Sequence, residues 1–186
     1  MSPLARAAAL VTALAAAAPA AAQDVPFEPT GEIRMNGVSG FSSVSFDQER
    51  IVGPVVNLTG REDGTWAGDL GGQDLDLHPV AGGLQAPNVT LKFRTKDGRT
   101  TVEGLYFGQR VRIELDAKKL SGRFGSCSMS LKRKGAPVYS GDLGCLNAGA
   151  RLPTAGRVWV ELMGEAASST PPLPQFALAL LAVLTS

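Results

Sequence analysis

Apolar and polar residues alternate along most of the chain between residues 33 and 162. In Val111-Arg112-Ile113-Glu114-Leu115 every second side chain is apolar, which is the pattern of a strand with one buried face. Turn sequences separate such segments, most clearly Lys96-Asp97-Gly98-Arg99, where Asp-Gly supplies the positive φ of a tight hairpin. The pattern therefore predicts antiparallel strands joined by hairpins.

Glycine-led segments recur at a nearly constant spacing within this region. Gly68, Gly104, Gly122 and Gly141 are 36, 18 and 19 residues apart, and a degenerate copy at residues 84–93 fills the first gap. A glycine inside a strand marks a bend or a close approach of two backbones. We therefore predict an all-β fold, an antiparallel meander of about twelve short strands that forms a barrel or a two-sheet sandwich.

The N-terminal residues 1–22 have the composition of a secretory signal peptide. Arg6 is their single charge, an Ala-rich apolar stretch follows at residues 7–18, and Ala20-Ala21-Ala22 precedes the expected cut before Gln23. The alternative is a membrane anchor, but the apolar stretch is short for one. Residues 23–165 are then a single β-domain.

The C-terminal residues 166–186 are predicted to be a Pro-containing linker followed by a short apolar segment. We expect a short helix after Pro174 that docks on the domain, because about nine apolar residues cannot cross a hydrocarbon core of about 30 Å. The alternative is a glycolipid-attachment signal with small residues at 166–168.

Overall charge and composition narrow the classes of function. The chain has 186 residues with 18 Lys+Arg and 17 Asp+Glu; because Arg6 lies in the leader, the mature part has 17 of each and a net charge of zero. Neutrality argues against a nucleic-acid partner. A single histidine and 6% aromatic residues leave little material for a metal centre or a catalytic triad, so we expect no cofactor.

The two cysteines, Cys127 and Cys145, are predicted to form a disulfide, because an exported protein with an even cysteine count most simply pairs them. Such a bridge stabilises by roughly 3 kcal/mol through the unfolded state. A catalytic thiol at Cys127 is the alternative. It would need an activating base, and His78 lies on a different predicted strand.

Aromatic side chains on the predicted inner face define a candidate binding pocket. If the barrel encloses a ligand, we expect a small apolar one. The pocket would be lined by Trp66, Phe93, Tyr106 and Phe124.

Charge is distributed unevenly along the sequence. Residues 61–80 contain five acids and one base, whereas residues 110–134 contain eight bases and two acids. Arg110, Arg112, Lys132 and Arg133 form a candidate basic surface for an acidic partner. The alternative is that surface lysines and arginines keep sheet edges from pairing.

Asp74, Asp76 and His78 lie at alternate positions of one predicted strand and are weak candidates for metal ligands. Alternate residues of a strand lie about 7 Å apart, so they cannot converge on one ion without a neighbouring strand. We therefore expect a solvated strand face and no metal site.

These features favour an exported, non-enzymatic β-domain that binds a ligand or a surface partner in the periplasm or outside the cell. A structural or adhesive cell-envelope module is the alternative, and a carboxylate-based hydrolase is a third hypothesis. The expected partners are a small apolar ligand or an acidic surface partner. After cleavage of the leader we expect no integral membrane protein, and the sequons at Asn57 and Asn88 matter only in a eukaryotic host.

Overall fold

The computed structural model describes residues 26–37, 40–146 and 154–185. Within these ranges the chain forms fourteen antiparallel strands, and the last strand pairs with the first to close a barrel. The prediction of an all-β antiparallel meander is confirmed, with a barrel rather than a sandwich. The predicted signal peptide, residues 1–22, lies outside the described residues.

Each strand pairs with its neighbours in the sequence, so the barrel is a simple up-and-down meander. The strands are β1 (Gly31–Gly37), β2 (Gly40–Phe46), β3 (Arg50–Gly53), β4 (Val56–Gly60), β5 (Trp66–Leu70), β6 (Asp74–Val80), β7 (Gly83–Ala86), β8 (Val89–Lys96), β9 (Arg99–Tyr106), β10 (Gln109–Leu115), β11 (Lys119–Phe124), β12 (Cys127–Gly135), β13 (Val138–Cys145) and β14 (Thr154–Gly164). A 3-10 turn, Glu165–Ala167, and a helix, α1 (Leu173–Thr185), follow.

The glycines predicted to bend the strands do bring neighbouring backbones together. Gly104 and Gly122 both have a φ of 151°. A Cβ atom at Gly104 would lie 1.8 Å from the Thr90 carbonyl oxygen, and one at Gly122 would lie 2.1 Å from that of Arg112. No side chain fits there, so glycine at these positions lets the sheet curve into a closed wall.

Helix α1 lies inside the barrel rather than on its outer surface. It contacts β1, β2 and β3 and also β8, which lies on the opposite side of the ring. Its residues from Phe176 to Val183 are at most 1% exposed. A helix buried on every face is apolar all round, as α1 is.

The number of strands explains why the barrel needs an internal helix. Eight strands enclose a space that their own side chains fill. Fourteen strands about 4.8 Å apart and tilted by about 40° enclose a cylinder roughly 28 Å across between backbones. A helix about 10–12 Å thick fills the remaining space, so α1 is part of the core.

Trp159 does not face the helix inside the barrel. Val158 and Val160 of β14 face inward, so Trp159 between them lies half-buried on the outer face. The part of the chain that the structure describes contains no helix long and apolar enough to span a membrane.

Candidate functional site: a basic outer face

Basic side chains cover the outer face of β8 to β12. The alternation in these strands turns Leu91, Val111 and Leu131 into the core and leaves the residues between them exposed. We call nine of the exposed bases of these strands the basic face. It comprises Lys92, Arg94, Lys96, Arg99, Arg110, Arg112, Lys119, Arg123 and Lys132.

Two pairs of like charges lie directly opposite each other on this face. Arg112 of β10 is the register partner of Arg123 of β11, and Lys119 of β11 is the partner of Lys132 of β12. Side chains at such positions have Cβ atoms about 4.5–5.5 Å apart, and like charges there are destabilising. The sheet therefore holds these cations together against their repulsion.

Acidic residues neutralise only part of the basic face. Arg112 pairs with Glu103 at 3.6 Å and with Glu114 at 3.5 Å, and Arg99 reaches the Glu114 carboxylate at 3.8 Å. Such exposed ion pairs contribute about 0–1 kcal/mol each. Within the described ranges, the remaining bases lack a carboxylate within 4.0 Å. These are Lys92, Arg94, Lys96, Arg110, Lys119, Arg123 and Lys132.

A groove of about 640 Å³ crosses the basic face at Gly104. Lys92, Arg110 and Arg112 line it together with Leu105, which is 46% exposed. Gly104 and Thr90 lie in this groove, at the point where the backbones of β9 and β8 approach each other closely. It combines three cations with the Glu103 carboxylate, the Thr90 hydroxyl and the apolar residues Leu105 and Val111.

Smaller grooves continue this face on both sides. One of about 460 Å³ is lined by Arg94, Arg99 and Thr101, among others. Another of about 180 Å³ includes Arg123 and Ser121. Hydroxyl groups therefore lie among the cations along the face.

The four residues predicted to line the basic surface do not all share one face. Arg110, Arg112 and Lys132 point outward as expected. Arg133 instead lies over the ring of the inward-facing Tyr139, 6.0 Å from its centroid, and donates to the Ala117 carbonyl oxygen at 3.3 Å. Arg133 closes one end of the barrel.

Sequence reasoning overlooked the contribution of β8 and β9 to this face. Lys92, Arg94 and Lys96 are spaced by two, which on a strand places all three on one side. That spacing was a readable signal. Their proximity to Arg112 depends on the pairing of β8, β9 and β10.

The predicted aromatic pocket residues lie in or against the core. Trp66, Tyr106 and Phe124 are buried, and Phe93 packs against them from a half-buried position. The Tyr106 hydroxyl donates to the Leu70 carbonyl oxygen at 3.0 Å. Burial, together with the nearby Asp69 carboxylate, raises the pKa of Tyr106 to about 12. These four aromatic residues are not among those that line the grooves of the basic face. Binding of a small apolar ligand by them stays a prediction.

Asp74, Asp76 and His78 lie exposed on the outer face of β6. Asp76 pairs with Arg61 at 3.3 Å and with His78 at 3.6 Å. Across residues 26–37, 40–146 and 154–185, no group of three or more His, Cys, Asp or Glu side chains could hold a metal ion. On this solvated face Asp76 forms an ion pair with Arg61 and lies beside the His78 imidazole.

The predicted disulfide is present. Cys127 and Cys145 are register partners on β12 and β13 and are bonded. A bonded sulfur cannot act as a thiolate nucleophile, so the alternative of a catalytic Cys127 does not apply in this state.

Comparisons with known proteins add no family to this description: no family model, curated protein or solved structure matches the chain. The class of protein is therefore defined by the fold and its outer surface. Among the described residues it is an up-and-down barrel of fourteen strands with an internal helix and the basic face on the outside.

Proposed function

We propose that this protein is an exported, non-enzymatic barrel that binds an acidic polysaccharide along its basic face. The observation that carries the proposal is the crowding of cations, with Arg112 opposite Arg123 and Lys119 opposite Lys132. Of these four, only Arg112 has carboxylate partners among the described residues. Such an arrangement lowers the stability of the free protein. An anionic chain laid across the strands would remove that cost.

The closed barrel weakens the main alternative explanation of these bases. Charged residues on a sheet often protect an exposed edge strand from pairing with another chain. In a closed barrel every strand is paired on both sides, so edge protection does not require cations here. Their concentration on five successive strands is better explained by a ligand.

The chemistry between the cations favours a saccharide over other polyanions. Ser121 and Ser130 are register partners in the middle of the face, and Thr90 lines the main groove. Hydroxyl groups can bond the neutral hydroxyls of a sugar chain while the cations pair with its acid groups. The outward positions described on β8 to β12 include no aromatic side chain on which a nucleic-acid base could stack.

Two further observations support export and an external binding surface. The disulfide fits an oxidising compartment, in agreement with the leader expected at residues 1–22. The burial of Trp66, Tyr106 and Phe124 around an interior that contains α1 favours a function at the outer surface. A structural or adhesive envelope module would use the same basic face.

Binding of polygalacturonate at several salt concentrations tests the proposal. We expect binding that weakens steeply with salt, little binding to neutral dextran, and at least about a tenfold loss in Arg110→Gln/Arg123→Gln. That loss corresponds to about 1.4 kcal/mol.

The matched control is Arg61→Gln/Arg157→Gln, which removes the same charge from outside the basic face. An equal loss in the control would mean that only net charge matters. Binding to vesicles of anionic phospholipid but not to polygalacturonate would replace the polysaccharide with a membrane surface and overturn the proposal.

A further inference from the structure

An outward-facing row of side chains crosses the barrel on another flank. The strand registers place Phe41 of β2 beside Asn36 of β1, Asn36 beside Trp159 of β14, and Trp159 beside Ser140 of β13. We call these four residues the aromatic row. Three strand spacings of about 4.8 Å give it a length of about 14 Å.

The two aromatic rings of the row lean toward each other above the central strand. Their centroids are 6.4 Å apart and their planes are inclined by 56°, although an entire strand separates their backbones. Phe41 remains 62% exposed and Trp159 is half-buried. The rings thus form a small apolar platform with exposed ring surface.

The polar members of the row have unused hydrogen-bonding capacity. Among the described residues, neither the Asn36 amide nor the Ser140 hydroxyl has a hydrogen-bond partner. By contrast, the nearby Ser43 hydroxyl donates to the Glu32 carboxylate. The row therefore offers an amide, with two donors and an acceptor oxygen, and a hydroxyl beside the rings.

Charges of both signs surround the row: Arg157 and Glu161 lie two residues from Trp159 on β14, and Lys132 lies opposite Ser140. Arg34, two residues from Asn36, donates to both oxygens of Glu32 at 2.9 Å. The Glu32 carboxylate, which also accepts from Ser43, has a pKa below its ordinary value because Arg34 hydrogen-bonds to it. A ligand of the row would meet the two rings, an amide and a hydroxyl directly, with charges of both signs around them.

We propose that the aromatic row is a binding site for a neutral oligosaccharide. The apolar C–H face of a sugar ring packs on an aromatic ring, and its edge hydroxyls match the Asn36 amide and the Ser140 hydroxyl. A protein partner fits less well, because a stable interface buries about 800 Å² per partner. Two rings bordered by polar groups provide only a fraction of that apolar area.

This site adjoins the basic face at one end only, where Ser140 of β13 is the register partner of Lys132 of β12. β1 at the centre of the row is five strands from β10 at the centre of the basic face around the closed ring. The aromatic row would act through stacking and neutral hydrogen bonds, which salt screens little, whereas binding at the basic face weakens with salt. The two proposals can therefore fail independently.

Tryptophan fluorescence tests the proposal, because Trp66 and Trp159 are the two tryptophans of the chain. In the full chain carrying Trp66→Phe, Trp159 is the reporter. We expect iodide to quench it in the free protein, and cellohexaose or chitohexaose to protect it saturably. Because Trp66 is buried and its replacement can disturb folding, calorimetric titration of the unmodified chain provides a second measurement.

Variants assign the binding to the row. Trp159→Ala should abolish oligosaccharide binding, and Asn36→Ala should weaken it about tenfold or more, equivalent to about 1.4 kcal/mol. Arg110→Gln should leave it unchanged. Shielding of Trp159 from iodide in the folded free protein, no binding of either hexasaccharide, or equal binding by Trp159→Ala would each overturn the proposal. Self-association lost in Phe41→Ser would instead identify an interface between copies.

Discussion

Ending the chain at Ala167 would test whether α1 is a structural part of the barrel. The truncation keeps all fourteen described strands and the 3-10 turn, whose Ala166 is buried. It removes the linker and the helix. If α1 were only a segment docked on the surface, the barrel would survive its loss.

The expected cost follows from the burial of the helix. Phe176, Leu178, Leu180, Leu181 and Val183 are each at most 1% exposed. Burying a side chain of this size stabilises by about 1.5–3 kcal/mol, so the five together contribute roughly 7–15 kcal/mol. That range matches the whole stability of a typical domain, about 5–15 kcal/mol. The truncated chain should therefore not form the native barrel.

Urea titrations followed by circular dichroism measure this effect. We expect the truncated chain to lack a cooperative transition and to bind a hydrophobic dye, because its apolar inner wall is uncovered. Leu180→Ala in the full chain should be destabilised by about 2–5 kcal/mol. Gln175→Ala is the control: its exposed amide makes one long hydrogen bond, 3.4 Å, to the Gln48 carbonyl oxygen, and its loss should cost less than about 0.5 kcal/mol. A truncated chain with a cooperative transition within about 1 kcal/mol of the full chain would show that our reasoning about the core is wrong.

Three further predictions concern the wall of the barrel. Arg123→Gln should stabilise the free protein by about 0.2–1 kcal/mol, because it removes the repulsion with Arg112. It should also weaken polygalacturonate binding, and unchanged binding would contradict the proposal that the basic face binds the polysaccharide. Gly122→Ala should lower the free energy of unfolding in urea titrations by more than about 2 kcal/mol, because Gly122 has a positive φ and a Cβ atom there would overlap the neighbouring backbone. Gly135→Ala should not cause this loss, because the space around Gly135 is open. The pKa of Tyr106 is raised from 10.0 to about 12, so the stability that the neutral phenol contributes is complete below pH 10 and is lost as the pH rises through 12. When thermal melts are compared between pH 10 and pH 12, Tyr106→Phe should therefore lose less stability than the parent protein.

Local sequence patterns predicted most of the barrel wall but neither the position of the helix inside it nor all of the residues that share its outer face. Alternation and turn residues predicted about twelve strands where the described structure has fourteen, because a strand of four residues such as β3 (Arg50–Gly53) is too short to show a period. The position of α1 was missed, although the uninterrupted apolar run from Phe176 to Val183 signals burial on every face. Arg110, Arg112 and Lys132 of the candidate basic surface point outward as expected, whereas Arg133 lies at the end of the barrel; the role of this surface in binding stays a prediction.

The sequence by itself determined the elements: which residues face inward, where the chain turns, which cysteines pair and where bases are frequent. These properties depend on the spacing of neighbouring residues. Only the tertiary structure decided that the sheet closes, that α1 fills it, that Arg112 lies against Arg123, and that Phe41 leans toward Trp159 across Asn36. These relations depend on which strands become neighbours and in what register, and a register is fixed by the packing of the whole core.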